Sequence, residues 1–367
     1  MAEKAIRLGG ESTADAIVSA VDAMYTEHTF AEKDFALKHN EDEISVDTNF
    51  AAQNFWKEAL IRFFNKKSAV LGLVLIVVIV LLAVFGPGMN SYTYSGQELS
   101  QKNFAPRVQV LENFGIFNGD EKMSTTTGSK TVNAYVEKGK EDVYYWFGSD
   151  TYGRDIWTRT WEGARVSLII AVAAAIIDMV IGMSYGLISG YFGGRVDMVM
   201  QRFLEVANGI PRLVIVTLLL VVLQPGMVTI IFALMLTEWV GMSRIARAEM
   251  LKLKDQEFVL ASRTLGAGSF FIIFKEVLPN IIGPIITQVM FSIPTAIFTE
   301  AFLSFVGLGI PVPQCSLGSL ISELYNSFTT HPYQIIPPIV VMSLLMLSFN
   351  LVADGLREAL DPKMKSM

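Results

Sequence analysis

The sequence predicts an all-α polytopic membrane protein with six transmembrane helices and a polar insertion after the first. Three observations carry that class. Ser68 to Gly86 reads SAVLGLVLIVVIVLLAVFG, 19 residues without a charge; at ~1.5 Å per residue, such a helix matches the ~30 Å hydrocarbon thickness of a bilayer. Across all 367 residues, 52% are hydrophobic and 17% charged, whereas soluble proteins average about a quarter charged. Further apolar stretches then alternate with polar segments along the rest of the chain.

Residues 1–53 are polar and mixed in charge, and residues 1–67 together hold 8 Lys/Arg and 12 Asp/Glu. No basic stretch followed by an apolar core begins at Met1, so no cleaved signal peptide is expected. Segment 54–88 opens with NFWKEALIRFF. At helical spacing Trp56, Ala59, Leu60 and Phe63 share one face with Phe64 beside it, while Lys57, Glu58 and Arg62 lie elsewhere. That pattern suits a helix lying in the membrane interface, with an ordinary helix packed on a soluble core as the alternative. Pro87-Gly88 ends the first span. Segment 89–162 is polar and turn-rich, too long for a tight turn and too polar to span.

A core of five helices is expected over 163–357. The second span is read at Val166–Tyr191, with Asp178 inside it and small residues (Ala171, Ala173, Ala174, Ala175, Gly182, Ser184, Gly186) that let helices approach closely. Met198–Leu223 is read as a third span with its first turns at the membrane surface and a break at Gly209-Ile210-Pro211; a re-entrant hairpin is the alternative. Met227–Met242, Ile281–Gly307 and Ile335–Val352 complete the six. Segment 358–367 is a short tail.

Lys and Arg in short loops set orientation. Arg195, Arg202, Arg244, Arg247, Lys252, Lys254, Arg263, Lys275 and Arg357 fall on one side with Lys57, Arg62, Lys66 and Lys67, whereas 224–226 and 309–334 hold none. Both termini are therefore expected in the cytoplasm, with 89–162 outside.

No catalytic constellation is present. The chain lacks G-x-x-x-x-G-K-[ST], G-x-S-x-G and H-E-x-x-H; its one cysteine, Cys315, excludes an internal disulfide, and His28, His39 and His331 are scattered. No cofactor and no metal site is expected. A net charge of −6 leaves no basic footprint for nucleic acid. Charges inside spans are candidates by default, because hydrocarbon tolerates them only when they face the bundle or water. These are Asp178, Arg212, Glu238 and Glu300, for which ties between helices are favoured over a transport role. The other candidate is loop 243–280. Within it EFVLASRTLGAGSFFIIFKEVLPN reads as helix, glycine break, helix and proline, a surface helix pair in which Ala261, Ser262 and Gly266 would let another surface come close.

This loop resembles the EAA motif of ABC-importer permeases through Ala261-Ser262, Gly266 and Leu278-Pro279, with Leu260 where the motif has glutamate and Glu276 where it has isoleucine. FGSDTYGRDIWTRTWEGARVSL (Phe147–Leu168), EAFLSFVGLGIPVP (Glu300–Pro313) and FNLVADGLREALDPK (Phe349–Lys363) resemble, in the same order, segments of oligopeptide and dipeptide permeases of the C type (OppC/DppC-like). The resemblance implies an ABC importer type I (MetI-like) permease core in the bacterial plasma membrane, in contact with lipid. It implies three kinds of protein partner: a second permease (OppB-like), two cytoplasmic ABC ATPase subunits, and an extracytoplasmic peptide-binding protein. ATP hydrolysis would belong to the ATPases, so the chain itself is not expected to be an enzyme. Ala261, Ser262, Gly266, Leu278 and Pro279 would couple it to them. The alternatives are an ion-coupled secondary transporter, or an importer serving signalling peptides or another small cargo such as a metal chelate.

Overall fold

The computed structural model describes residues 55–125 and 128–360. The expected N-terminal extension 1–53 and the tail from 361 onward lie outside the described residues. Among the described residues, five helices are long and apolar enough to cross a membrane: Lys67–Gly88, Ile156–Phe192, Met227–Leu253, Ser269–Leu308 and Pro332–Leu360. A sixth crossing exists if Gly194–Gly209 and Leu213–Leu223, bent by 77°, count as one broken span. The bend falls at Ile210-Pro211, where proline removes a helical donor and disfavours helix for the residue before it.

In chain order the elements are α1 (Phe55–Asn65), α2 (Lys67–Phe85), β1 (Asp120–Thr125), β2 (Gly128–Asn133), α3 (Ala134–Glu137), α4 (Ile156–Ile177) and α5 (Met183–Phe192). There follow α6 (Gly194–Gly209), α7 (Arg212–Leu223), α8 (Met227–Thr237), α9 (Trp239–Leu253), α10 (Glu257–Thr264), α11 (Ser269–Phe271), α12 (Leu278–Leu303), α13 (Leu317–Tyr325) and α14 (Ile336–Leu360). π-helical stretches at Asp178–Gly182 and Ile272–Val277 join α4 to α5 and α11 to α12, and a third at Ser304–Leu308 extends α12.

The core draws on five spans. Ile79 and Ala83 meet Trp161, Ala171 and Ala175, Ile230 and Leu234, Ile293 and Ile297, and Leu345 and Phe349 in one apolar cluster. Small residues set the spacing as expected: a Cβ at Gly182 would sit 2.8 Å from the Met242 Cβ, and one at Gly190 2.9 Å from that of Met250. The α1 face divides. Ala59 and Phe63 are buried, whereas Trp56, Leu60 and Phe64 are exposed, which fits an interfacial helix with one edge on the bundle. Lys66 anchors its end to Glu358 at 2.5 Å.

Three expectations are corrected. The second span's helix begins at Ile156 rather than near Val166, because the Asp155 carboxylate caps it by accepting from the Thr158 N–H at 2.8 Å and the polar turns that follow are buried against the insertion. Helix α9 runs to Leu253, past the expected end at Met242. The expected surface helix pair is a single free-standing helix, α10, since the segment from Ser269 is continuous with the fifth span to Leu308. The insertion, read as polar and turn-rich, also carries a hairpin in which β1 and β2 pair antiparallel, from Asp120 opposite Asn133 to Thr125 opposite Gly128. Phe104, Tyr135 and Tyr145 form a small core within the insertion.

Candidate functional site

At the end of the bundle away from the insertion, α10 lies between α9 and the fifth span. Val259 is its anchor, fully buried with Leu187, Met242, Met250, Ile272 and Ile273. The rest of the helix is turned outward. Phe258 and Leu260 are exposed, and Leu265 is 88% exposed; Ala261 and Gly266 are exposed and Ser262 half-buried. The C-terminus is a paired-bond cap: the Ala267 N–H donates to the Ser262 carbonyl at 3.0 Å, and the Gly266 N–H to the Arg263 carbonyl at 3.0 Å. That motif requires a left-handed residue, and Gly266 supplies it with φ +83°. A Cβ on Gly266 would meet nothing within 4 Å, so within this chain the glycine serves conformation rather than clearance. The Arg263 guanidinium lies 4.8 Å from the centre of the Tyr191 ring, a cation–π contact tying α10 to α5.

Leu278 packs half-buried on the cluster around Val259, and Pro279 sits exposed in the first turn of α12. The π-helical stretch just before it spreads the backbone where proline lacks a donor. Phe270, Phe271 and Phe274 extend the exposed apolar surface beside α10.

The intramembrane charges separate by environment. Glu300 is fully buried and accepts from three hydroxyls: Ser316 at 2.5 Å, Ser304 at 2.7 Å and Ser167 at 3.1 Å. It thus joins α4, the fifth span and the start of α13 through hydroxyls rather than through an opposite charge. Ser316 also caps α13 by accepting from the Ser319 N–H at 3.0 Å, so the carboxylate lies where a helix dipole favours it. Asp178 is buried at the start of its π-helical stretch, with Ser292 and Glu238 as neighbours. Glu238 is half-buried at the α8–α9 junction. The Arg212 side chain lies outside the described residues.

At the insertion end lies a cluster that sequence reasoning missed. The Asp150 carboxylate accepts from Arg154 Nε at 2.7 Å and from Arg159 Nη1 at 2.7 Å. Glu323, on α13, accepts from Arg159 Nη2 at 2.7 Å and also pairs with Arg154. Two cations and two anions balance. The Arg159 side chain is 0% exposed, and the cluster joins the insertion to a helix 164 residues further on. Burial opposes ionisation of Glu323, but Arg159 and then Arg154 outweigh it and hold the carboxyl below its usual range. Asp150 also accepts from the Tyr152 and Arg154 N–H groups at 2.8 and 2.9 Å, closing a turn in which Gly153 adopts φ +74°. The sequence signal was the Phe147–Leu168 segment, which holds Asp150, Arg154 and Arg159 without showing that they converge with Glu323.

Residues 182–366 match the family described as the inner membrane component of binding-protein-dependent transport systems, and residues 54–106 match the N-terminal transmembrane domain of oligopeptide transport permease C. The oligopeptide transport system permease protein OppC of Bacillus subtilis is 41% identical over 312 residues, covering 85% of this chain and 91% of that protein. This chain belongs to the binding-protein-dependent transport permease family. The dipeptide transport system permease protein DppC of the same organism is 38% identical over 332 residues, 90% of this chain and 93% of that one. A chain of the MetNI methionine ABC transporter, solved facing inward, aligns at 16% identity and a TM-score of 0.47 over 54% of this chain and 94% of that one. By the family match and the two Bacillus subtilis relatives, the permease is a multi-pass membrane protein of the ABC-importer class, and the ion-coupled alternative is set aside. Its α10, Glu300 and Glu323 lie inside the stretch matched at 182–366, whereas Asp150, Arg154 and Arg159 lie between the two matched stretches.

Proposed function

We propose that this permease forms one half of the pathway of an ATP-driven importer of short peptides. A second, OppB-like permease supplies the other half, and two cytoplasmic ABC ATPase subunits hydrolyse ATP. An extracytoplasmic binding protein delivers the peptide. In this reading residues 1–53, the loop bearing α10 and the tail 358–367 are cytoplasmic, 89–162 is extracytoplasmic, and the membrane is the bacterial plasma membrane.

The observation that carries the reading is the surface of α10. One buried residue, Val259, anchors it, while Phe258, Leu260 and Leu265 are left exposed on a rigidly capped helix at the end rich in Lys and Arg. Exposed apolar surface of this kind marks a protein contact. The helix would sit in a cleft of an ATPase through Ala261, Ser262 and Gly266. Leu278 and Pro279 would then transmit dimer closure to the fifth span as a rigid-body movement. Peptide cargo is supported by the names of the relatives that share 41% and 38% identity. Asp178, Arg212, Glu238 and Glu300 serve as ties within the bundle.

The test is isolation of the tagged chain from its native membrane with its companions. The reading predicts two ATPases and a second permease in the complex, with ATP turnover stimulated by peptide-loaded binding protein. A chain that purifies alone and carries peptide on an ion gradient would overturn it.

A further inference from the structure

Beside the charge cluster, at the insertion end, a cavity of about 640 Å³ opens between the insertion, the turn at Pro225 and the segment leading into α13. Its size falls within the range of small-molecule sites, and its lining has three properties that belong together.

The charged groups at its edge are already neutralised. Arg154 and Glu323 line it, but each is held in the balanced cluster with Asp150 and Arg159. The wall is also fixed from behind. Ser304 and Ser319 line the cavity; Ser304 is bound to the buried Glu300 at 2.7 Å and Ser319 donates its N–H to Ser316 at 3.0 Å. Finally, four uncharged polar side chains, Gln97, Gln314, Ser322 and Asn326, line it, and among the described residues none of them hydrogen-bonds within the chain. The result is a rigid, charge-balanced wall carrying unused amide and hydroxyl groups, each able to donate and accept. A ligand with repeating amide donors and acceptors fits such a wall, and one selected by a charged side chain does not.

We propose that this cavity is an outer subsite for the transported solute, taking short peptides through main-chain N–H and carbonyl groups and indifferent to their side chains. It deepens the peptide-import reading and rests on it. Gln314, Ser322 and Asn326 make the contacts, and the two buried networks hold those residues in place.

The test uses the full complex in proteoliposomes with peptide-loaded binding protein, and the tripeptides alanyl-lysyl-alanine and alanyl-glutamyl-alanine as probes. Wild type is expected to import both at similar rates. Gln314→Glu with Asn326→Asp places carboxylates on the wall, and the ratio of lysyl to glutamyl uptake should rise roughly tenfold, the equivalent of ~1.4 kcal/mol. Gln314→Leu with Asn326→Leu removes hydrogen-bonding groups at exposed positions, and uptake of both peptides should fall about tenfold together. Uptake is read per assembled complex, with the affinity of the loaded binding protein for the complex measured alongside. An unchanged ratio in the acidic variant, with uptake intact, overturns the subsite. Weaker binding-protein docking as the sole defect also overturns it, assigning the wall to that protein. Wild type that moves neither peptide overturns the import reading itself.

Discussion

The two ends of the bundle handle their surfaces in opposite ways. At the insertion end, four ionised side chains from two distant segments close on one another and leave little to solvent. At the other end, α10 buries Val259 alone and leaves Leu260 and Leu265 exposed. The charge cluster is satisfied within the chain, whereas the apolar surface of α10 is not covered by it. A charge removed from water must find its partners inside the fold, whereas an apolar surface can remain until a second protein covers it. In the proposed reading the contrast separates what holds the permease together from what would connect it to ATPase subunits, and substitutions at each end should fail in different ways.

The largest effect is expected at Arg159. Replacing it by methionine keeps the volume but leaves Asp150 and Glu323 short of a partner in a buried site, at a cost of about 3–5 kcal/mol. Thermal unfolding of the purified permease should show the loss, and adding Glu323→Gln should restore part of it. A melting temperature like that of wild type would show that the cluster does not hold the insertion to α13.

Next is Glu300→Gln. The three serine hydroxyls lose a carboxylate acceptor, and the new amide turns two donors toward groups that already donate. A cost of about 1–3 kcal/mol follows, read as less assembled complex, with each complex importing acidic and basic peptides in unchanged proportion. Full assembly with charge-selective uptake would make Glu300 a pathway residue.

Gly266 sharpens the comparison at the other end. A side chain forced into the left-handed region costs about 1–2 kcal/mol, while asparagine tolerates it. Gly266→Arg should abolish uptake with membrane expression unchanged, whereas Gly266→Asn should retain most peptide-stimulated ATP turnover. Equal inactivity of the two variants would mean that a partner's close approach, rather than the cap, demands glycine.

The smallest effect is a pH dependence. Glu323 has its carboxyl held below the usual range, so its contribution is fully present above the unfolded value of about 4.3 and is lost as pH falls through the lower folded value. Melting of wild type should therefore weaken on acidification below about pH 4, and Arg159→Met should lose that portion of the dependence. An identical acid profile in both proteins would detach Glu323 from the cluster.

Much of this architecture was legible in sequence. The charge-free run at Ser68–Gly86, the break at Ile210-Pro211 and the glycine stop at Gly266 are local signals, and each element ends where those residues require. The remainder depends on distant contacts. The helix from Ile156 continues through Thr158, Arg159 and Thr160, polar residues that read as loop until their partners are known. Glu323 has no local mark of its role, because its partners lie on a segment far back in the chain. Glu300 was visible as an intramembrane charge, but its three serines, drawn from separate elements, were not. The α9 extension to Leu253 was hidden for the same reason: Arg247 reads as a loop residue until its bidentate pair with Asp197, at 2.6 Å and 2.6 Å, is seen.

The central claim is that α10 is the contact between this permease and ATPase subunits. The direct measurement is cross-linking from a single cysteine, Ala261→Cys in a Cys315→Ser background, within the complex purified from membranes. The account predicts an adduct between this chain and an ATP-hydrolysing subunit, formed in high yield and lost when Leu265→Asp is added. Absence of that adduct in a complex that turns over ATP and imports peptide, with a cysteine at Asn326 cross-linking to the ATPase instead, would contradict it.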